Sequence, residues 1–210
     1  MKYKVTEFKS LKVALKELEQ FIRDGAHVLR GKPLRRFGGS RPRELLANWL
    51  LAAVANASTN TEDYTFTSDP IGGDGIIYNL KEQKDWPTEH VIVPPAGAGE
   101  TVTVEERIRD QVKKKQDKGG EQYARGKTLI VLNEFGNNER WHPNKAAKLL
   151  PDTSFQEIWA VGLYSVNDGE YTYYVTVLDK RMQTMPVWMV EINKDFTDWV
   201  VKQTQSPPLI

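Results

Sequence analysis

Apolar residues recur at helical spacing in the first quarter of the chain, and from Tyr64 onward they gather into short strand-length runs. Across residues 8–23, Phe8, Leu11, Leu15, Leu18 and Ile22 follow in steps of 3, 4, 3 and 4. That spacing is one stripe of an amphipathic helix, with lysines and glutamates on its outer face. Gly25 and Gly31 interrupt the pattern. Ser40 then reads as the cap of a second helix with Pro42 in its first turn. This helix, RELLANWLLAAVANA, is apolar around most of its circumference and is expected to lie buried against a sheet. Glu44 and Asn48 interrupt it four residues apart and so share a face. Glu44 also suits the first turn of a helix as an acid favoured by the dipole.

Three strand-like runs follow in the stretch YTFTSDP-IGGDGIIYN-LKEQKDWP-TEHVIVPP, cut by a Gly-Gly turn and a charged connection. Beyond the Gly/Pro-rich loop PPAGAGET, a polar helix is expected with Val104, Ile108 and Val112 on one side and a stop at Gly119-Gly120. KTLIVLNEF reads as a strand buried on both faces. NKAAKLL is a short helix ended by Pro151, and EIWAVGLYS a second buried strand. YTYYVTVLD pairs with that strand through the turn Asn167-Asp168-Gly169. VWMVEI adds an edge strand, and the tail to Ile210 reads as loosely attached. Three consecutive strands predict an antiparallel meander, and the strand–helix–strand units after them predict crossovers in a mixed central sheet flanked by helices, an α/β class.

Composition narrows the function rather than the fold. The 210 residues fit one domain, read as an N-terminal helix and basic arm (1–40), a core (41–165) and C-terminal strands with a tail (166–210). A net charge of +1 excludes a global basic field, so affinity for nucleic acid must come from local clusters. The absence of cysteine removes disulfides, thiolate catalysis and zinc–thiolate sites. No apolar run reaches the roughly 18 residues of a membrane span. With no signal-peptide pattern either, a cytoplasmic location is expected.

Two clusters carry candidate chemistry. Between residues 23 and 43, Arg23, Arg30, Lys32, Arg35, Arg36, Arg41 and Arg43 face Asp24 as the one acid, with Gly38 and Gly39 giving flexibility. Such an arm is either a solvated loop or a set of bidentate donors to a polyanion. The second cluster is carboxylic. Asp74 heads one strand and Glu89 lies on the next, so a hairpin can bring both to one sheet edge, with Glu44 approaching from the helix beneath. Carboxylates that meet there favour a cation, and oxygen-only ligands suit Mg²⁺ or Mn²⁺. The three histidines are far apart without metal-ligand spacing, and no G-x-S-x-G or Walker-type loop is present. Trp141, in the polar run NNERWHPN, is read as an exposed ring able to stack on a base or peptide.

A Glu-bearing helix, a hairpin with Gly73-Asp74-Gly75-Ile76-Ile77 on one strand and Glu89-His90-Val91 on the next, then helix, strand, helix and strand, resembles the PD-(D/E)XK nucleases. The likeness spans residues 41–165. It implies a restriction-endonuclease-like αβββαβ core with extra C-terminal strands, and Mg²⁺-dependent cleavage of phosphodiester bonds. Asp74 and Glu89 would be the motif carboxylates and Glu44 the auxiliary helix acid. Val91 occupies the position of the motif lysine. A relocated lysine is then expected among Lys115 and Lys84, with Gln111 as another polar candidate. Arg35, Arg36, Arg41, Arg43 and Lys115 are the expected nucleic-acid contacts. A protein that keeps this sheet without catalysis and binds nucleic acid or a protein partner is the alternative reading. Residues 171–177, taken as an edge, would permit a homodimer by strand addition.

Overall fold

Helical stripes and strand runs form where their periodicity puts them. The structure, a computed structural model, describes residues 10–69, 72–134 and 139–204, the side chain of Arg36 excepted. Among these residues it holds five α-helices and eight β-strands, a mixed α/β protein. The chain divides into two compact units, one running to Thr88 with Asp195–Asp198, the other Glu89–Lys194 with the residues from Trp199 on.

In the first unit, α1 (Leu11–Ile22) buries Leu11, Ala14, Leu15, Leu18, Phe21 and Ile22, the stripe read from the sequence; Phe8 lies outside the described residues. α2 (Gly25–Arg30) follows, started by Asp24, whose carboxylate accepts the His27 N–H at 3.1 Å. α3 (Pro42–Thr59) is buried from Leu45 to Val54 without a break, as its apolar circumference requires. The Trp49 indole N–H donates to the Leu11 carbonyl at 2.9 Å and ties α3 to α1. β1 (Tyr64–Thr67), β2 (Gly75–Asn79) and the start of β3 (Lys84–Val93) form the expected antiparallel meander, with Phe66 opposite Ile77 and Ile77 opposite Trp86. Asn56 fixes β1 to α3 with two 2.8 Å bonds, its amide to the Tyr64 carbonyl and its oxygen from the Tyr64 N–H.

The second unit has α4 (Val104–Ala124), β4 (Thr128–Asn133), α5 (Pro143–Leu149), β5 (Glu157–Asn167), β6 (Glu170–Val177), β7 (Val187–Ile192) and β8 (Trp199–Thr204). Thr103 and Glu106 start α4 with a reciprocal cap: the Thr103 N–H donates to the Glu106 carboxylate at 2.9 Å, and the Glu106 N–H to the Thr103 hydroxyl at 3.3 Å. β4 and β5 are parallel, joined through α5, and β5 to β8 are antiparallel. Asp168 and Gly169, at φ of 49° and 86°, make the predicted two-residue hairpin. Val104, Ile108 and Val112 of α4 pack into a core with Leu129, Val131, Ile158, Ala160, Trp141 and Tyr174.

Four expectations are corrected. Residues 171–177 are not an edge: β6 pairs with β5 on one side and β7 on the other, which leaves no free backbone for strand addition. The segment after β7 is not a loose tail as far as Thr204, because Val201 and Trp199 take up register with Val190 and Ile192 as β8; residues 205–210 lie outside the described residues. The cap of α3 is Arg41 rather than Ser40. The basic segment after α1 is not an open loop but carries α2 and a 3-10 turn over Arg35–Phe37, closed by the Leu34 N–H on the Ser40 carbonyl at 3.0 Å. No described helix is long and apolar enough to cross a membrane.

Candidate functional site

Asp74 and Glu89, the two carboxylates that the resemblance singles out, belong to different units. Asp74 sits half-buried at the head of β2 in the first, in a turn built around Asn48 of α3. The Asn48 amide donates to the Asp74 carbonyl at 3.4 Å, and its oxygen accepts the Thr88 hydroxyl at 2.8 Å. One buried side chain thus holds the start of β2 and the middle of β3 on the helix. Gly75 is what lets it in: a Cβ there would stand 2.2 Å from the Asn48 amide nitrogen and 3.2 Å from the Thr88 hydroxyl. Gly75→Ala is therefore expected to expel Asn48 and lower the free energy of unfolding by about 2–4 kcal/mol, the combined scale of overpacking and a broken buried hydrogen-bond pair. Gly39→Ala, at φ 89° with nothing within 4 Å of the added carbon, is expected to cost about 1–2 kcal/mol of backbone strain alone. Urea midpoints of the two variants check the difference.

Glu44 lies buried in the first turn of α3, and its carboxylate accepts the Arg41 N–H at 2.7 Å. Its second oxygen stands 3.6 Å from the Arg43 guanidinium. Arg43 in turn donates to the Leu29 carbonyl at 2.9 Å and holds the end of α2. Glu44 and Arg43 are thus engaged in joining α2 to α3. Of the other arginines expected to meet a polyanion, Arg35 and Arg41 are exposed, and the side chain of Arg36 lies outside the described residues. Lys84 lies over the Trp86 ring, 4.9 Å from its centroid, in the first unit.

Glu89 is the centre of a different arrangement in the second unit. It is 4% exposed on β3, with one oxygen 3.0 Å from the Lys115 ammonium and the other 2.7 Å from that of Lys127. Lys115 comes from α4 and Lys127 from the residue before β4. Both ammoniums also lie near the Tyr123 ring, Lys127 at 4.0 Å from the centroid and Lys115 at 5.8 Å. The break in α4 makes room for that ring. Gly120 takes φ 73°, and the bare Cα of Gly119 lies so close to Tyr123 that a Cβ would come within 2.1 Å of the ring. Two ammoniums thus meet one buried carboxylate beside an aromatic face. Such a group offers donors to an anionic oxygen.

Lys115 is one of three positions, with Gln111 and Lys84, that the sequence offers for a relocated motif lysine. Lys127 and Tyr123 went unnamed, because Lys127 is 38 residues from Glu89 and only the return of the chain from α4 into β4 unites them. Gln111 is half-buried on α4. Among the described residues no group of three or more His, Asp or Glu gathers where it could hold a metal ion. Trp141 is not exposed: it is 1% accessible and tilted against Tyr174 at 5.8 Å. The Asn133 amide donates to the Tyr174 hydroxyl at 2.7 Å, and burial pushes that phenol well above its ordinary range despite this bond. Comparison with protein-family models, curated proteins and solved structures finds no match.

Proposed function

We propose that this chain is directed at the phosphodiester backbone of nucleic acid, as a divergent relative of the PD-(D/E)XK nucleases. The observation that carries this reading is the Glu89–Lys115–Lys127 group. The motif wants an ammonium beside its glutamate; Val91 leaves none on the strand, and the Lys115 ammonium of α4, 3.0 Å from Glu89, is what supports the reading. The order α, β, β, β, α, β from α3 to β4 supports the same reading. Lys115 and Lys127 would hold a phosphoryl oxygen and offset charge developing on it. The resemblance, and not the geometry of either unit, adds Asp74 and Glu44 as further carboxylates for Mg²⁺ or Mn²⁺. That ion, when bound, would act as a Lewis acid on the phosphodiester.

The test is a cleavage assay on labelled DNA and RNA with Mg²⁺ or Mn²⁺. Wild-type protein is expected to cut at least one of them. Lys115→Met and Asp74→Ala are each expected to lower the rate by about 10²–10³-fold, the scale for removing one charge-stabilising group. Equal cutting by wild type and both variants removes the catalytic assignment. A second reading, binding without cleavage, is favoured by one feature: both oxygens of Glu89 are already engaged by ammoniums. It predicts no product from the wild type together with binding that weakens steeply as salt is raised.

A further inference from the structure

The four lysines between residues 113 and 118 are not equivalent. Lys113 is matched by Asp117, one turn on, at 2.9 Å, and Lys115 by Glu89 at 3.0 Å. Lys114 and Lys118 are exposed and engage no carboxylate among the described residues. They are four residues apart, so they stand above one another on one face of α4, separated by about 6 Å along the axis. Lys118 is also three residues from Lys115 and shares a face with it. The uncompensated charges therefore form a strip that runs along α4 into the Glu89 group.

Cations near the end of a helix satisfy its dipole wherever they point. The dipole does not account for which of them lack an acid. Asp110 lies four residues before Lys114 and Glu121 three after Lys118, yet neither forms an ion pair with its lysine, and both lysines continue the surface of the group built around Glu89.

We propose that this strip is the track for the nucleic-acid backbone, with Lys114 and Lys118 contacting phosphates adjacent to the one held at Lys115 and Lys127. The assignment rests on the phosphodiester reading above. It places the main electrostatic contact on α4 rather than on the arginine-rich segment that the sequence suggests. Contacts of this kind are made to phosphates and carry no base preference. Single strands and duplexes of DNA and RNA share that chemistry and form separate arms of the test.

The experiment is fluorescence anisotropy of labelled oligonucleotides with the full chain, in chelator so that nothing is cut, across a salt series. Lys114→Gln with Lys118→Gln is expected to weaken binding and to flatten the slope of log affinity on log salt. The expected change is about 1.8 for a duplex and about 1.4 for a single strand, two phosphate contacts' worth. Lys113→Gln, whose charge Asp117 already offsets, is expected to leave the slope near wild type. Wild-type binding with an unchanged slope in the double variant overturns the strip and leaves the phosphodiester reading standing. An equal loss in Lys113→Gln overturns it too, since position on the helix would then be irrelevant. No binding by the wild type in any arm overturns both.

Discussion

Glu89→Ala lowers the free energy of unfolding by about 2–4 kcal/mol and weakens nucleic-acid binding or cleavage in the same variant. Removing one partner from a buried ion pair costs about 3–5 kcal/mol, because the remaining charge is left without compensation. Here the remaining charges are two, but Lys115 and Lys127 have side chains 20% and 24% exposed and regain water in part. That moves the expected cost to the lower end. A triple variant, Glu89→Leu with Lys115→Met and Lys127→Met, separates stability from function. Exchanging a whole ionic group for apolar side chains of similar volume is often close to neutral. The triple variant is therefore expected to recover most of the lost stability while gaining no binding. Urea unfolding followed by circular dichroism, with anisotropy on the same samples, reads both quantities. A Glu89→Ala protein as stable as wild type would mean that the two lysines have no need of the carboxylate.

Trp141→Ala is the second large effect, an expected loss of about 3–5 kcal/mol typical of truncating a large buried ring. Trp141 is 1% accessible and packs against Tyr174 within the core that α4, α5 and the sheet of the second unit share. Trp141→Phe keeps most of the apolar volume and is expected to cost about 1–2 kcal/mol. Because the ring is buried rather than presented to a base, nucleic-acid affinity of the folded Trp141→Phe protein is expected to stay within about twofold of wild type, where loss of a stacking contact would cost about 1–3 kcal/mol per base. Thermal unfolding and anisotropy measure the two. A tenfold loss of affinity in Trp141→Phe with unchanged stability would return this residue to the binding surface.

These two residues also mark what could be read from the sequence. Local periodicity carried far: α1 follows the 3–4 stripe, α3 the continuous apolar circumference, and β5 and β6 the Asp168-Gly169 turn, because each signal lies within one element or one hairpin. Trp141 misleads because its polar neighbours describe the chain around it, while its burial is decided by Tyr174, 33 residues on. β8 was hidden for a similar reason: Lys202 and Gln203, adjacent and both exposed, break the alternation of WVVKQT, and only pairing with β7 makes it a strand. Asp24 restarts a helix between two glycines that read as breakers. At the candidate site, Glu89 and Lys115 were visible as residue types, but their 3.0 Å pairing depends on how α4 lies along β3 and β4. Val91, two residues after Glu89 on β3, carries no ammonium. Lys127 carried no local signal at all.

Strand order in both units repeats chain order, β1-β2-β3 in the first and β3 through β8 in the second. On the ribosome this has a simple result. Each strand leaving the exit tunnel after the first finds its hydrogen-bonding neighbour already made, and nascent domains fold from the N-terminal side as they appear. Among the described strands β8 comes last in the chain and is also outermost in that order. Growth of the sheet can follow translation strand by strand, without an unmatched edge waiting for a partner that has yet to be synthesised.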